Sequence, residues 1–248
     1  MAGPRFLDRL RRSAPPLPRP ETPICLIGDP HGRHDLLCDL LDAIARRASG
    51  RAISTVVLGD MIDRGPDSAR VLADLACRTA ARGAETTCLM GNHERMLLDF
   101  LAMPEANRAW LRHGGAETLR SFGIDPERPP ARLATDLRRA MPAGTVEWIA
   151  ALPRLWQSDG LAAVHAGADP RLPLSHQMED VLLWGHGDFG RKMRRDRIWV
   201  VHGHVVSPEA PWIRRGTIGA DTGAWSHGVL SAVWLDADGL DTVTARES

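Results

Sequence analysis

Apolar and polar positions alternate in blocks along the chain. Ile24-Cys25-Leu26-Ile27 is a continuous apolar run of strand length that ends in Gly28-Asp29. The segment His34–Ala48 then places Leu36, Leu37, Leu40, Leu41 and Ile44 on one helical face. Residues 53–60, ISTVVLGD, are β-branched and read as a second strand. Pro66 and Asp67 are start signals for a second helix, which stops at Gly83. TTCLMGN at 86–92 predicts a third strand and ERMLLDFLA at 94–102 a third helix. A β-α-β-α-β-α order predicts an α/β fold built on a parallel sheet with right-handed crossovers.

Residues 103–155 change character: helical stretches are broken by Pro and Gly clusters, as expected of a helical insertion over one face of the sheet. Strand patterns return at GLAAVHAG (160–167), RIWVVHGH (197–204) and GVLSAVWLD (228–236), less regularly spaced, and point to a second, mixed sheet. Residues 1–23 are rich in Arg and Pro and outside any period, so they are expected to form a mobile arm, with 24–248 as a single domain.

Composition narrows the function classes. A length of 248 residues with 44% hydrophobic content supports one sizeable core. Lys plus Arg equals Asp plus Glu, 31 each, which removes the electrostatic case for a nucleic-acid partner or a charged membrane surface. No apolar run approaches the ~18–20 residues that span a bilayer, and no signal peptide is evident, so stable membrane insertion is not expected and a cytoplasmic location is. Cys25, Cys38, Cys77 and Cys88 lack the spacing of a zinc-thiolate site or disulfide framework and are expected to be buried free thiols. The eight Trp, Trp184 and Trp225 among them, are scattered as expected of core and cap packing.

The chemistry lies where the apolar runs stop. Five of them end in side chains able to hold a metal: Asp29 with His31, Asp60, Asn92 with His93, His165, and His204. Carboxyl ends of neighbouring parallel strands share one edge, so these residues converge there. The donors suit Mn, Fe, Zn or Ni rather than Ca. Asp29 and His31 are assigned to one cation and Asn92, His165 and His204 to a second, with Asp60 bridging them. Two divalent ions, two carboxylates and a hydroxide sum to roughly +1, which attracts a phosphate ester. Arg64 is placed to fork phosphoryl oxygens, and Asp63 to hold one ring nitrogen of His93 so that the other protonates the leaving group.

GDPHG at 28–32, GDMIDRG at 59–65 and GNHE at 91–94, followed by VHAG (164–167) and VHGHVV (201–206), resemble the motifs of PPP-type serine/threonine phosphatases of the calcineurin-like metallophosphoesterases, in their compact bacterial branch. The resemblance covers roughly residues 24–235. It implies a two-sheet β-sandwich flanked by helices, two divalent metal ions with Mn2+ foremost, and attack by a metal-bridging hydroxide on phosphoserine or phosphothreonine in proteins. It also implies that Asn92 contacts the substrate phosphate together with Arg64. Diadenosine tetraphosphate or a related nucleotide is the alternative substrate. A second phosphate-clamping Arg, expected after the Leu-Trp pair 183–184, is replaced by Gly185-His186; Arg191 or His186 is the stand-in. His204 is preferred over His202 as the last ligand because its GH pair with Val205 fits the pattern better.

Overall fold

The structure, a computed structural model, describes residues 15–81, 85–158 and 160–247. In chain order, β1 (Ile24–Ile27), α1 (His34–Ala48), β2 (Ser54–Val57), α2 (Ser68–Ala80), β3 (Glu85–Cys88) and α3 (Asn92–Ala102) reproduce the alternation expected from periodicity. A kinked turn at Leu111–Gly115 leads into α4 (Ala116–Ser121), α5 (Pro130–Ala140) and α6 (Thr145–Ala150), the helical stretch foreseen between residues 103 and 155. The remainder is β4 (Leu155–Ser158), β5 (Leu161–Val164), α7 (Glu179–Trp184), β6 (Trp199–His202), β7 (Trp212–Arg214), β8 (Thr217–Gly219), α8 (Ala224–His227), β9 (Val229–Asp236) and β10 (Gly239–Arg246).

The strands form two five-stranded mixed sheets, ordered β10-β9-β1-β2-β3 and β4-β5-β6-β8-β7. In the first, β1, β2 and β3 are parallel, with Ile27 opposite Val57 and Val57 opposite Cys88, so their carboxyl ends share one edge. In the second, β5, β6 and β8 are parallel, and Val164, His202 and Gly219 lie side by side at the same end. Strand alternation then builds the layers. Cys25 and Ile27 face Leu36, Leu37, Leu40 and Ile44 of α1, whereas Ile24 and Leu26 face Leu161, Trp199, Val201 and Ile218 of the other sheet. Burial on both faces is why β1 reads as an unbroken apolar run.

One strand falls elsewhere than the pattern suggests. β9 was grouped with the later, second-sheet strands, but it returns to the first sheet, antiparallel to β1 with Cys25 opposite Trp234. It fits because Ala232 and Trp234 pack on the helical side while Val233 and Leu235 join the inter-sheet core. Of the arm, residues 1–14 lie outside the described residues. From Pro15 on it touches the body: Leu17 packs on the inter-sheet core, and Trp199 Nε1 lies 3.2 and 3.1 Å from the Pro15 and Pro16 carbonyl oxygens. The cysteines depart from expectation: Cys25 and Cys88 are buried, but Cys38 is half-buried and Cys77 exposed, because they fall on outward positions of α1 and α2. Trp184 and Trp225, expected to pack inside, are 49% and 44% exposed. No helix among the described residues is long and apolar enough to cross a membrane.

Candidate metal centre

The loops after β1, β2, β5 and β6 and the start of α3 bring the expected residues to one place. Asp29, His31, Asp60, Asn92, His93 and His165 are buried and His204 half-buried. Asp60 is the hub: its Oδ2 lies 3.5 Å from His31 Nε2, 3.8 Å from His93 Nε2 and 3.4 Å from His165 Nε2. Two donor clusters share it, one with His31 and His93, the other with His165 and His204. Asn92 Oδ1 joins the second cluster, 2.8 Å from His165 Nε2 and 3.0 Å from His204 Nδ1. The remote ring nitrogens of His31 and His165 are fixed on the Ile62 and Leu58 carbonyl oxygens at 2.8 and 2.9 Å, which turns the opposite nitrogens inward.

The backbone is bent to achieve this. His31, Asp60, Asp63, Arg64 and His204 all have φ between 40° and 73°, the left-handed region, which costs of order 1–3 kcal/mol per residue and persists where surrounding contacts over-determine it. Much of that support is Glu94. Its Oε2 accepts from Asp60 N at 2.8 Å and Gly91 N at 2.9 Å, its Oε1 from Met61 N at 2.8 Å and Ile62 N at 3.3 Å. Asp29 Oδ2 accepts from His204 N at 2.7 Å, tying the two sheets together, and a Cβ at position 203 would collide with the same carboxylate.

The electrostatics ask for positive charge. Burial, then the neighbouring Asp221 and Asp60, push the Asp29 carboxyl well above its ordinary range. Burial and Asp60 likewise lift Glu94 to about 8, and burial lifts Asp221 to about 6. Asp60 is the exception, for His165, His93 and His31 outweigh its burial and hold it low. Burial holds His31 down at about 3 and His204 at about 4, so the imidazoles are neutral, the form that ligates a cation. Asp29 Oδ1 is buried with no hydrogen-bond partner. An orphaned carboxylate oxygen, crowded anions and neutral imidazoles fit divalent cations at this centre.

A second layer sits beside it. His93 Nδ1 is 2.7 Å from Asp63 Oδ2, which also accepts from Trp110 Nε1 at 2.8 Å, while Thr118 Oγ1 donates to Asp63 Oδ1 at 2.6 Å. An acceptor held by two other donors takes the Nδ1 proton of His93 and leaves Nε2 facing the centre. Burial opposes the imidazolium, yet Asp60 and Asp63 raise the His93 pKa overall. Arg64 donates to His31 Nε2 at 3.1 Å and His93 Nε2 at 3.0 Å, so its fork points into the centre. Its guanidinium carbon lies 5.1 Å from the ring centre of Trp225. Beyond it opens a groove of ≈ 690 Å³ lined by Arg33, Arg64, Arg70 and Trp225 among others.

Not every expected residue arrives. Arg191 is exposed on a turn, its backbone N–H donating to Asp188 O, and His186 faces Asp169 with Nε2 3.6 Å from Oδ2. No hydrogen bond or ion pair among the described residues joins either to the centre. His202 is buried between Phe189 and Trp212, apart from the donor clusters, whereas His204 is in one. Motif spacing assigns no place in the site to Glu94, Asp221, Trp110, Thr118 or Trp225. Glu94 had a signal: an acid three residues after Gly91 at a helix start reaches back to the Gly91 N–H, the acidic half of a capping box.

The profile of the calcineurin-like phosphoesterase family matches residues 22–243. An asymmetrical bis(5'-nucleosyl)-tetraphosphatase from Bacillus velezensis is 28% identical over 228 residues, 80% of this chain and 83% of that protein. Serine/threonine-protein phosphatase 1 from Salmonella typhimurium is 36% identical over 92 residues, only 37% of this chain and 38% of that relative's length. A solved structure described as a candidate diadenosine tetraphosphatase superposes with TM-score 0.63 at 21% identity, covering 95% of this chain and 99% of that one. At that identity the likeness concerns the fold.

Proposed function

Starting from a chain that belongs to the calcineurin-like phosphoesterase family, we propose that it hydrolyses a phosphoanhydride bond of nucleoside polyphosphates, of the dinucleoside tetraphosphate kind, on a dinuclear metal centre. The observation that carries a phosphoester hydrolase is the Asp60 carboxylate shared by two donor clusters. Asp29, His31 and Asp60 would hold one cation, and Asp60, Asn92, His165 and His204 the other. When bound, two divalent cations neutralise phosphoryl oxygens and acidify water to supply a nucleophile at neutral pH.

The chain's own groups do the rest. Arg64 exchanges its imidazole acceptors for phosphoryl oxygens and orients the ester, with the Asn92 amide beside it. Once Arg64 has turned to the phosphoryl oxygens, His93 Nε2 takes up a proton, favoured by Asp60 and Asp63, and gives it to the departing oxygen, while Asp63 stabilises the ring through Nδ1. Trp110 and Thr118 keep Asp63 fixed. Arg191 and His186 are left out of this clamp because their hydrogen bonds and ion pairs run to Asp188 and Asp169 rather than to residues of the centre.

A phosphoserine or phosphothreonine protein is the second reading, favoured by the higher identity to the Salmonella phosphatase over a short stretch. Alignment along most of both chains supports the nucleotide reading, as does the exposed Trp225 next to Arg64, an aromatic surface on which a base stacks. The test compares diadenosine tetraphosphate with a phosphoserine peptide on Mn2+-loaded protein. The nucleotide is expected to show the higher kcat/KM, and Trp225→Ala to raise its KM about tenfold while leaving the peptide's unchanged. Faster turnover of the peptide reverses the assignment. Asp60→Asn is expected to abolish both reactions, and full activity in that variant would overturn the hydrolase itself.

A further inference from the structure

Three donors outside the catalytic centre meet in the seam between α1 and α2. His34 opens α1, Cys38 follows on the same face one turn later, and Asp74 faces them from α2. Their ligand atoms all lie within 4.8 Å of one another. His34 Nε2 is 3.5 Å from Cys38 Sγ and 4.0 Å from Asp74 Oδ2. A tetrahedral cation with bonds of ~2.0–2.3 Å separates its ligands by about 3.3–3.6 Å, so the His34–Cys38 edge is already formed and the other two, at 4.0 Å and within 4.8 Å, close by rotamer adjustment. Asp74 Oδ1 accepts from Arg78 Nε at 2.9 Å, which orients the carboxylate and leaves Oδ2 towards His34. All three side chains are half-buried, and His34 and Cys38 line the groove beside Arg64, so a fourth position is open to water.

We propose that this seam binds one divalent transition-metal ion of the zinc class, distinct from the catalytic pair. A thiolate, an imidazole and a carboxylate select borderline-soft ions over Mg or Ca. The catalytic clusters contain no sulfur, so the two places sort metals by softness. Burial and Asp74 raise the Cys38 thiol above its ordinary pKa, so the ion replaces the thiol proton: one S–H bond breaks, one metal–sulfur bond forms, and one proton leaves to solvent. The placement gives the ion a consequence. α1 begins three residues after His31 and α2 four after Arg64, and the two entry loops are already joined by Asp67 N donating to Gly32 O at 2.9 Å. An ion in the seam ties together the loops that carry a catalytic ligand and the phosphate clamp.

The experiment titrates Co2+ into Mn2+-loaded protein and reads sulfur-to-cobalt charge-transfer absorption in the near ultraviolet, a signal the catalytic centre cannot give. The band is expected to saturate at one equivalent, to be lost in Cys38→Ser, to weaken at least tenfold in affinity in His34→Ala, and to persist in Cys77→Ser. It is also expected to persist in Asp60→Asn, which separates this site from the hydrolytic one. Zn2+ should displace the band and shield Cys38 from alkylation. No band in the unsubstituted protein, a band surviving Cys38→Ser, or one indifferent to His34→Ala overturns the proposal.

Discussion

At the scale of single residues, charge and donor count decide what each group tolerates. Glu94 accepts four backbone N–H groups, two on each oxygen. Glu94→Gln turns one acceptor into an NH2 facing N–H donors, with an expected cost of about 2–4 kcal/mol, read as a lower denaturation midpoint, and loss of metal loading as the Asp60 loop relaxes. His93→Ala should keep both metals. Its turnover should fall on the order of 10²–10⁴-fold for an alkyl leaving group and much less for p-nitrophenolate, which leaves without a proton. Equal losses for both esters would remove His93 from the acid role. These residues differ in how they could be read. Asp29, Asp60, His165 and His204 were visible because each ends an apolar run, and the ends of parallel strands converge. Asp221 was not, because its carboxylate reaches Asp29 only through the docking of the two sheets. Arg191 is exposed on a turn whose backbone N–H donates to Asp188 O, a placement that no apolar run signals.

At the scale of elements, the kinked turn Leu111–Gly115 shows how a helical insertion reaches the chemistry. Gly114 has φ 109°, accepts from Arg64 N at 3.2 Å, and would place a Cβ 2.6 Å from that nitrogen. The turn therefore props the clamp. Gly114→Ala combines a backbone region closed to alanine with a collision, and should lower kcat/KM about 10–100-fold by moving Arg64, with far-UV circular dichroism unchanged. An unaltered kcat/KM would show that Arg64 needs no such prop. Helices α1, α2 and α3 were legible almost residue by residue, since an apolar stripe over one face fixes both existence and extent. The short strands β4, β7 and β8 were not: at three or four residues they carry too few alternations to stand out, and pairing of β4 with β5, β8 with β6 and β7 with β8 makes them strands.

Across the whole molecule, the centre is a store of repulsion that cations relieve. Glu94 and Asp221 have folded-state pKa values near 8 and 6, above the ~4 of an unfolded carboxylate. Below pH ~7 the unfolded imidazoles of His31 and His204 take up protons that their buried native forms refuse, which offsets the raised acids; above it the raised acids decide, and the stability of the metal-free native state falls as pH rises from ~7 through ~8. Chelator-treated protein should melt at progressively lower temperature from pH 7 to pH 9, and added Mn2+ should raise the midpoint more at pH 9 than at pH 7. An ion at a hundred times its Kd adds about 2.7 kcal/mol per site. A flat midpoint in the metal-free protein would mean that the buried acids stay paired without cations.

The pairing of β1 with β9 joins segments about two hundred residues apart, and the edge formed at β1 is where Asp29 begins the centre. During translation Asp29, His31 and Asp60 emerge early, but β1 has no partner on that side, and no His165 or His204 to face, until most of the polypeptide has left the ribosome. A nascent chain stalled before Val229 should be silent towards phosphate esters even in abundant manganese. Competence is thereby tied to the arrival of β9, which keeps a half-made hydrolase from acting on phosphate esters.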